Sequence, residues 1–201
     1  LAARVMAGAS LSETGFVREV VPAHYAVKEA VFPFARFPGL DVVLSPEMKS
    51  TGESMGIDAR CASAYLKSQM GAGNRLPRGG NVFLSVRDED KDSLIPLARQ
   101  LRHLGFGIYA TLGTSTALWS AGLRSKAVFR ISKGRPNAID LMDARELDWI
   151  VSTPAGEADP MLDEVRMRAH ATIRNVPLTT TLNGLRWSIE ALKAQRGKRI
   201  S

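Results

Sequence analysis

From residue 81 onward the chain alternates between two hydrophobic patterns, and this alternation restricts the fold more than any other feature. Short apolar runs typical of buried strands are separated by stretches in which apolar residues recur every three or four positions, as in an amphipathic helix. The predicted strands cover residues 82–86, 108–110, 127–131, 149–152 and 176–178, and the predicted helices cover residues 93–104, 115–121, 137–145, 160–173 and 183–195. Strands that alternate with helices form a parallel sheet covered on both faces. The sequence therefore predicts a three-layer α/β/α domain around a five-stranded parallel sheet.

A glycine-rich stretch separates this alternating region from the residues before it. Residues 71–81 contain four glycines and one proline, which is typical of a linker. Upstream, the pattern predicts a strand at residues 26–32, a proline-interrupted stretch through Pro46 and a helix at residues 58–69 that ends near Gly71. We therefore divide the chain into residues 1–71, a linker at 72–80 and residues 81–201. The first unit is short and irregular, and we interpret it as the α+β end of another domain.

Single residues carry further predictions. Pro96 lacks an N–H and belongs in the first turn of a helix, which places the start of that helix near Asp92 or Ser93. Trp119, Trp149 and Trp187 are interpreted as core or interface aromatics, and Cys61 as a buried structural thiol.

Composition argues against several classes of protein. The 201 residues are 45% hydrophobic and 23% charged, as in an ordinary globular protein. No apolar run approaches the roughly 20 residues that cross a bilayer, and no signal peptide is recognisable, so we expect a cytoplasmic protein without a membrane partner. One cysteine and three scattered histidines predict neither a disulfide nor a metal site. The net charge of +7 is concentrated in a basic tail without interleaved aromatics, so no nucleic-acid partner is predicted.

Glycine, hydroxyl and basic residues follow the predicted strands, at the edge where the loops of a parallel sheet meet. Successive loops contain Ser85 and Lys91, then Thr111, Gly113 and Thr114, then Arg130, then Ser152 and Thr153, and finally residues 179–181. Hydroxyls and free N–H groups at a helix N-terminus bind phosphate oxygens, and Lys and Arg supply charge. No dinucleotide or ATP-binding glycine motif and no catalytic triad is recognisable. The pattern predicts a phosphate site because the loops meet at one edge, although a single loop of this kind more often only satisfies its own backbone.

Several segments resemble a known family. Residues 25–34, 46–56 and 84–91 are similar to the C-terminal end of the large chain of carbamoyl phosphate synthase. The similarity continues through residues 110–114, 133–136 and 181–184, which are shared with the wider superfamily of methylglyoxal-synthase-like (MGS-like) domains. The resemblance implies that residues 1–71 close the second ATP-grasp unit and that residues 81–201 form an MGS-like allosteric domain with five parallel strands between helix layers.

The resemblance also implies a function. The full-length enzyme is an ATP-dependent, glutamine-hydrolysing ligase of arginine and pyrimidine biosynthesis, which uses ATP with Mg²⁺ or Mn²⁺ and a glutaminase small subunit. Its allosteric domain binds UMP as inhibitor or IMP as activator, and ornithine binds between the two units. The residues that match the nucleotide site are Lys91, Thr111, Gly113, Thr114, Arg130, Ser152 and Thr153, with Ser85 and Asp163 nearby; Glu29 and Thr180 match the ornithine site. For this chain alone the resemblance implies no catalytic residue, no metal and no cofactor, and it leaves a homo-oligomer open.

The sequence departs from the family pattern near both effector sites. Arg130 stands where the family usually has Lys, while Ser152 and Pro154 replace an Asn and a Thr that hold the base or ribose. Leu178 replaces a Tyr beside the ornithine site. Upstream, the spacing of Ser50 and Glu53 fits a helix capping box and fits a place on the catalytic face of the ATP-grasp unit equally well.

Two other functions stay open at this point. A methylglyoxal-synthase-type lyase acting on dihydroxyacetone phosphate needs a carboxylate base, which those enzymes hold in a Gly-Gly-Asp turn. Here the corresponding turn is Lys133-Gly134-Arg135-Pro136-Asn137, with Asp140 one turn further along. A docking module without any ligand is the third hypothesis. The nucleotide hypothesis requires Lys91, Thr114, Arg130 and Thr153 to reach a single bound oxyanion.

Overall fold

A computed structural model of the chain describes residues 1–31, 52–154 and 158–197. The elements, in chain order, are α1 (Ala2–Met6), β1 (Tyr25–Val31), β2 (Gly52–Asp58), α2 (Cys61–Gly71), β3 (Gly80–Ser85), α3 (Lys91–His103), β4 (Phe106–Thr111), α4 (Leu112–Ser120), β5 (Lys126–Val128), α5 (Ala138–Asp143), β6 (Trp149–Ser152), α6 (Ala158–Arg174), β7 (Leu178–Thr179) and α7 (Leu182–Arg196). Short 3-10 turns at Asp88–Asp90 and Ile131–Lys133 lie ahead of α3 and α5. Among the helices in these ranges, none combines the length and the apolar character needed to cross a bilayer.

Five strands form one parallel sheet in the order β5-β4-β3-β6-β7. The central strand β3 has a continuous apolar run, Val82–Leu84, because both faces of the sheet are covered by helices. Val82 and Leu84 lie in a core with residues of α3, α4 and α7, whereas Phe83 lies in a second core with residues of α5 and α6. Alternate side chains of one strand thus serve opposite layers. The three-layer fold with five parallel strands is confirmed.

Trp149 is the largest fully buried side chain in the described part of the protein and joins two strands of this sheet to each other. Its ring centroid lies 5.8 Å from that of Phe106, with the two planes tilted by 58°. Its indole N–H donates to Thr179 Oγ1 at 3.0 Å, which links β6 to the two-residue strand β7. Because β7 is too short to be held by backbone pairing alone, this bond helps to position the residues that follow it.

The chain before β3 forms an antiparallel strand pair and one helix. β1 and β2 pair along their whole length, from Tyr25 opposite Asp58 to Val31 opposite Gly52. α2 lies on this pair and also on α7, where the hydroxyl oxygens of Tyr65 and Ser188 are 3.2 Å apart. β2 was not predicted, because its residues, GESMGID, include two glycines and lack the β-branched alternation of a typical strand.

Two predictions about helix starts were wrong. α3 begins at Lys91, directly after a 3-10 turn, so Pro96 is the sixth residue of the helix rather than a first-turn residue. Proline there removes the N–H that would bond the carbonyl of Asp92, and water can satisfy that carbonyl because both residues are exposed. The predicted capping box also fails, since Glu53 lies in strand β2 and forms an ion pair with Lys28. Ser50 and residues 32–51 of the family motifs lie outside the described residues.

The structure also decides two questions of burial. Trp119 is 64% exposed, so of the core and interface roles predicted for it the core role is wrong; its indole N–H donates to the carbonyl oxygen of Ser125 at 3.0 Å. Cys61 is partly exposed at the start of α2 rather than buried. In the described ranges no three His, Cys, Asp or Glu side chains come together as a metal site.

Candidate phosphate-binding site

The loops that follow β3, β4, β5 and β6 meet at the carboxyl edge of the sheet. From β3 the chain continues to β4 and β5 on one side and later to β6 and β7 on the other, so the connections reverse direction between β3 and β6. Open α/β sheets bind ligands at such a reversal. Ser85 lies opposite Ser152 in the β3–β6 register, and the N–H of Thr153 donates to the carbonyl oxygen of Ser85 at 3.1 Å. These three predicted site residues therefore lie side by side.

Two threonines hold the loop that leaves β3. The N–H of Val86 donates to Thr114 Oγ1 at 3.3 Å, and the N–H of Arg87 donates to Thr153 Oγ1 at 3.2 Å. Thr111 Oγ1 lies 3.2 Å from Thr114 Oγ1 and donates to it. Because both Thr114 and Thr153 accept hydrogen bonds from the protein, their own O–H groups are left to donate elsewhere. The structure thus brings loops from β3, β4 and β6 into direct contact.

The N-terminus of α4 opens onto the same edge. α4 begins at Leu112, three residues before the predicted start, so Gly113 and Thr114 belong to its first turn. Thr111 precedes it in an extended conformation, and no side chain caps the helix. The first N–H groups of a helix have no partner within the helix, and they carry the positive end of its dipole. Backbone donors and a partial positive charge are therefore available where the sequence analysis expected them.

Lys91, the first residue of α3, supplies a cation beside the first turn of α4. Its ammonium lies 2.7 Å from Asp88 Oδ1, and a Cβ added to Gly113 would stand 3.2 Å from its Nζ. The hydrogen bond and charge of Lys91 lower the pKa of Asp88, and the positive charge of Arg130 lowers it further. The ammonium of Lys91 thus lies between the carboxylate of Asp88 and the first turn of α4. The sequence analysis did not single out Asp88, although it lies three residues before Lys91.

Ser152 is the least satisfied residue of the site. It is 4% exposed, and its Oγ is the one fully enclosed side-chain polar atom in the described ranges that has no hydrogen-bond partner. It borders a cavity of about 50 Å³. The cavity is lined by Phe83, Ser85, Val86, Arg87, Thr111, Phe129, Arg130, Ile131, Ala138, Ser152, Thr153, Asp163, Glu164 and Met167. Lys91, Gly113 and Thr114 are not among these residues, but Thr114 contacts the cavity wall through the N–H of Val86 and the hydroxyl of Thr111. A buried hydroxyl without a partner is costly, so this position favours a ligand that supplies one.

Asp163 borders the cavity, but its carboxylate already accepts hydrogen bonds from the protein. Its Oδ2 accepts hydrogen bonds from the N–H of Ser132 at 3.0 Å and from Ser132 Oγ at 2.8 Å. This pair of bonds ties α6 to the loop after β5, which carries Arg130. Asp163 therefore positions that loop, a role that the sequence alone did not indicate because Ser132 and Asp163 are far apart in the chain.

The two residues expected at an ornithine site lie in different parts of the fold. Glu29 is on β1, where burial raises the pKa of its carboxyl group despite a hydrogen bond with Gln69. Thr180 is exposed in the loop between β7 and α7, and Thr179, predicted to follow the strand, is part of β7. In the described part of the chain no hydrogen bond or ion pair joins Glu29 to Thr180.

Comparison with known proteins adds the family. A family model described as "MGS-like domain" matches residues 93–180. The carbamoyl phosphate synthase large chain of Pasteurella multocida is 48% identical over 184 residues, which are 92% of this chain and 17% of that protein. The large chain of Pseudomonas putida is 45% identical over 193 residues, 96% of this chain and 18% of that protein. The arginine-specific chloroplastic large chain of Oryza sativa subsp. japonica is 44% identical over 199 residues, 99% of this chain and 17% of that protein.

One solved structure resembles part of this chain. Methylglyoxal synthase from Elizabethkingia anophelis NUHP1 superposes with a TM-score of 0.46 and 14% identity, over 57% of this chain and 79% of that one. This likeness says nothing about the reaction.

The chain spans 17% to 18% of the length of the curated large chains named above. The match, at 44% to 48% identity, extends over nearly all of this chain. The chain therefore belongs to the carbamoyl phosphate synthase large-chain family and corresponds to the C-terminal part that carries the MGS-like domain.

Proposed function

We propose that this chain is the regulatory part of a glutamine-hydrolysing carbamoyl phosphate synthase and that it binds a nucleoside monophosphate, UMP or IMP, through the phosphate group. The observation that carries the proposal is the unpartnered Oγ of buried Ser152, which borders the same cavity as Thr153 and Ser85. A phosphate oxygen placed there would accept the hydrogen bond that the protein does not provide.

The surrounding groups fit an oxyanion. Lys91 supplies a full positive charge, the first turn of α4 supplies N–H groups, and Thr114 and Thr153 supply hydroxyl donors. Arg130, which is exposed at the rim of the cavity, adds a second cation. Hydrogen bonds between charged groups and phosphate are about twice as strong as those between neutral groups, so most of the affinity would come from the phosphate. The base and ribose would extend outward past Phe129, which is 50% exposed.

The rest of the assignment concerns the full-length enzyme. It would make carbamoyl phosphate from bicarbonate, ATP with Mg²⁺ or Mn²⁺, and ammonia released by a glutaminase subunit, for arginine and pyrimidine biosynthesis in the cytoplasm. Nucleotide binding at the site described above would tune that synthesis, with ornithine as a further effector near Glu29 and Thr180. The 201-residue chain alone would be non-catalytic, and an assay with bicarbonate, ATP and ammonia should yield no carbamoyl phosphate.

The lyase hypothesis is disfavoured by the hydrogen bonds of two carboxylates: Asp140, which follows the turn that corresponds to Gly-Gly-Asp, and Asp163, which borders the cavity. Asp140 Oδ2 accepts the N–H of Asn137 at 3.0 Å as half of a capping box at the start of α5, and its Oδ1 lies 3.4 Å from Arg135 Nε. Asp163 is held by two hydrogen bonds from Ser132. A general base must be free to accept a proton from the substrate. Both carboxylates serve the protein's own structure instead.

The test is isothermal calorimetry with UMP, IMP and inorganic phosphate as ligands. Lys91→Met should weaken the binding of whichever ligand the wild-type protein takes by about tenfold or more, because it removes a charge-assisted hydrogen bond. Lys126→Met is the matched control, because it removes the same charge at the other end of the sheet. Lys126 contacts Tyr109 there. Flat titrations with all three ligands would refute the proposal. Equal losses of affinity in Lys91→Met and Lys126→Met would refute it as well.

A further inference from the structure

The cation of the proposed phosphate site already holds an anion that belongs to the chain itself. Lys91 Nζ and Asp88 Oδ1 are 2.7 Å apart, but the two side chains differ in exposure: 22% for Lys91 and 93% for Asp88. The ammonium lies against the first turn of α4, since Gly113 leaves just enough room for it. The carboxylate therefore reaches from solvent onto a cation that lies against the first turn of α4.

We propose that Asp88 is a built-in competitor of the ligand: its carboxylate occupies Lys91 while the site is empty and must leave before a phosphate group can bind there. This inference rests on the proposed phosphate-binding function and concerns how that site is regulated. It assigns Asp88 the task of setting the affinity of the site.

The difference in exposure explains why Asp88 is the partner that leaves. An exposed carboxylate regains full hydration when it rotates away, and an exposed ion pair contributes little to stability. The side chain of Lys91 is 22% exposed and its ammonium lies beside the positive end of a helix, so a neighbouring anion stabilises it more than it would stabilise a fully hydrated ammonium. A phosphate dianion offers more charge and more acceptor oxygens than one carboxylate, and the exchange therefore favours the ligand.

The neighbouring acids do not share this role. Asp90 Oδ2 accepts a hydrogen bond from Arg87 Nε at 2.8 Å, and Glu89 Oε2 lies 3.7 Å from the same nitrogen. Of the three consecutive acids in the 3-10 turn before α3, Asp88 alone is recorded in contact with Lys91. Glu89 is therefore a matched control, because it is exposed, adjacent in sequence and carries the same charge.

The experiment compares Asp88→Asn with Glu89→Gln by calorimetry, with inorganic phosphate, UMP and uridine as probes. Asp88→Asn should bind phosphate and UMP more tightly than wild type by about two- to fivefold, the range that loss of an exposed ion pair allows. The factor should be the same for both ligands because the competition acts on the phosphate group alone. Uridine should show no gain, and Glu89→Gln should show a smaller gain than Asp88→Asn for every probe.

The outcomes separate the two proposals. If wild type binds phosphate or UMP and Asp88→Asn binds it no more tightly than Glu89→Gln does, the competitor role is wrong and the phosphate site stands. If only Asp88→Asn shows measurable binding, the competitor role is supported. If neither wild type nor Asp88→Asn binds phosphate or UMP, the proposed function fails and the inference fails with it.

Discussion

Among the glycines that the structure describes, Gly56 is the one where an added methyl group would make the closest contact with backbone atoms. It lies on β2 under α2, and a Cβ there would be 1.9 Å from the carbonyl oxygen of Ala64 and 2.5 Å from the backbone nitrogen of Ser68. Both obstacles are helix backbone rather than flexible side chain. Gly56→Ala must therefore push the helix and the strand apart.

The size of the shift sets the expected cost. Since real Cβ atoms essentially never approach within 3.0 Å of another heavy atom, the 1.9 Å contact requires a separation of about 1 Å. A gap of that size forfeits a quarter to a half of the dispersion attraction between the atoms it separates. We expect Gly56→Ala to lower the free energy of unfolding by about 3 kcal/mol, at the upper end of the usual overpacking range. For a chain of this length that corresponds to a melting temperature lower by about 6–12 °C.

The assay is urea denaturation followed by circular dichroism, together with thermal melting. Gly52→Ala is the control, because Gly52 lies on the same strand and a Cβ there would meet nothing within 4 Å. That variant should be as stable as wild type or slightly more so, since alanine restricts the unfolded chain. If the two variants differ by less than about 0.5 kcal/mol, the close packing of β2 against α2 is wrong.

Two further predictions concern the rest of the fold. Trp149→Phe should lower the free energy of unfolding by about 2 kcal/mol, because it leaves a small cavity and removes the indole hydrogen bond to Thr179. Trp119→Phe, at an exposed indole, should lower it by less. Equal losses of stability in chemical denaturation would contradict this prediction. Hydrogen bonds from His170 and then Arg174 lower the pKa of Asp143 below 3.8, so its contribution to stability is present above that pH and lost as the pH falls through the lowered value. The stability difference between wild type and Asp143→Asn should therefore shrink on acidification below pH 3.8, and a difference that grows would oppose it.

Much of the candidate site follows from local sequence. Thr111, Gly113 and Thr114 stand between an apolar run and a helical pattern, so their place at a strand end and helix start depends on neighbouring residues alone. Ser152 was predicted to lie at a strand end for the same reason. That its Oγ has no partner was not predictable, because this depends on what β3 and α6 place around it.

Other features depend on contacts that local patterns do not encode. β2 becomes a strand because β1 pairs with it, although its two glycines weaken the propensity. Trp119 is exposed because its N–H bonds the carbonyl of Ser125 at the surface, whereas hydrophobicity alone places a tryptophan inside. The partner of Lys91 likewise depends on the turn geometry of residues 88–90.

The sequence by itself determined the alternation of strands and helices and the parallel sheet, and it located the strand ends to within a few residues; β5, for example, was predicted to end at Ile131 and ends at Val128. The periods of 2 and 3.6 residues that encode these features extend over only a few neighbouring positions. Only the tertiary structure decided that β3 lies between β4 and β6. For that reason Thr114 and Thr153 both accept hydrogen bonds from the loop after β3. Strand order is set by which apolar faces pack together over long separations in the chain, and no local pattern carries that information.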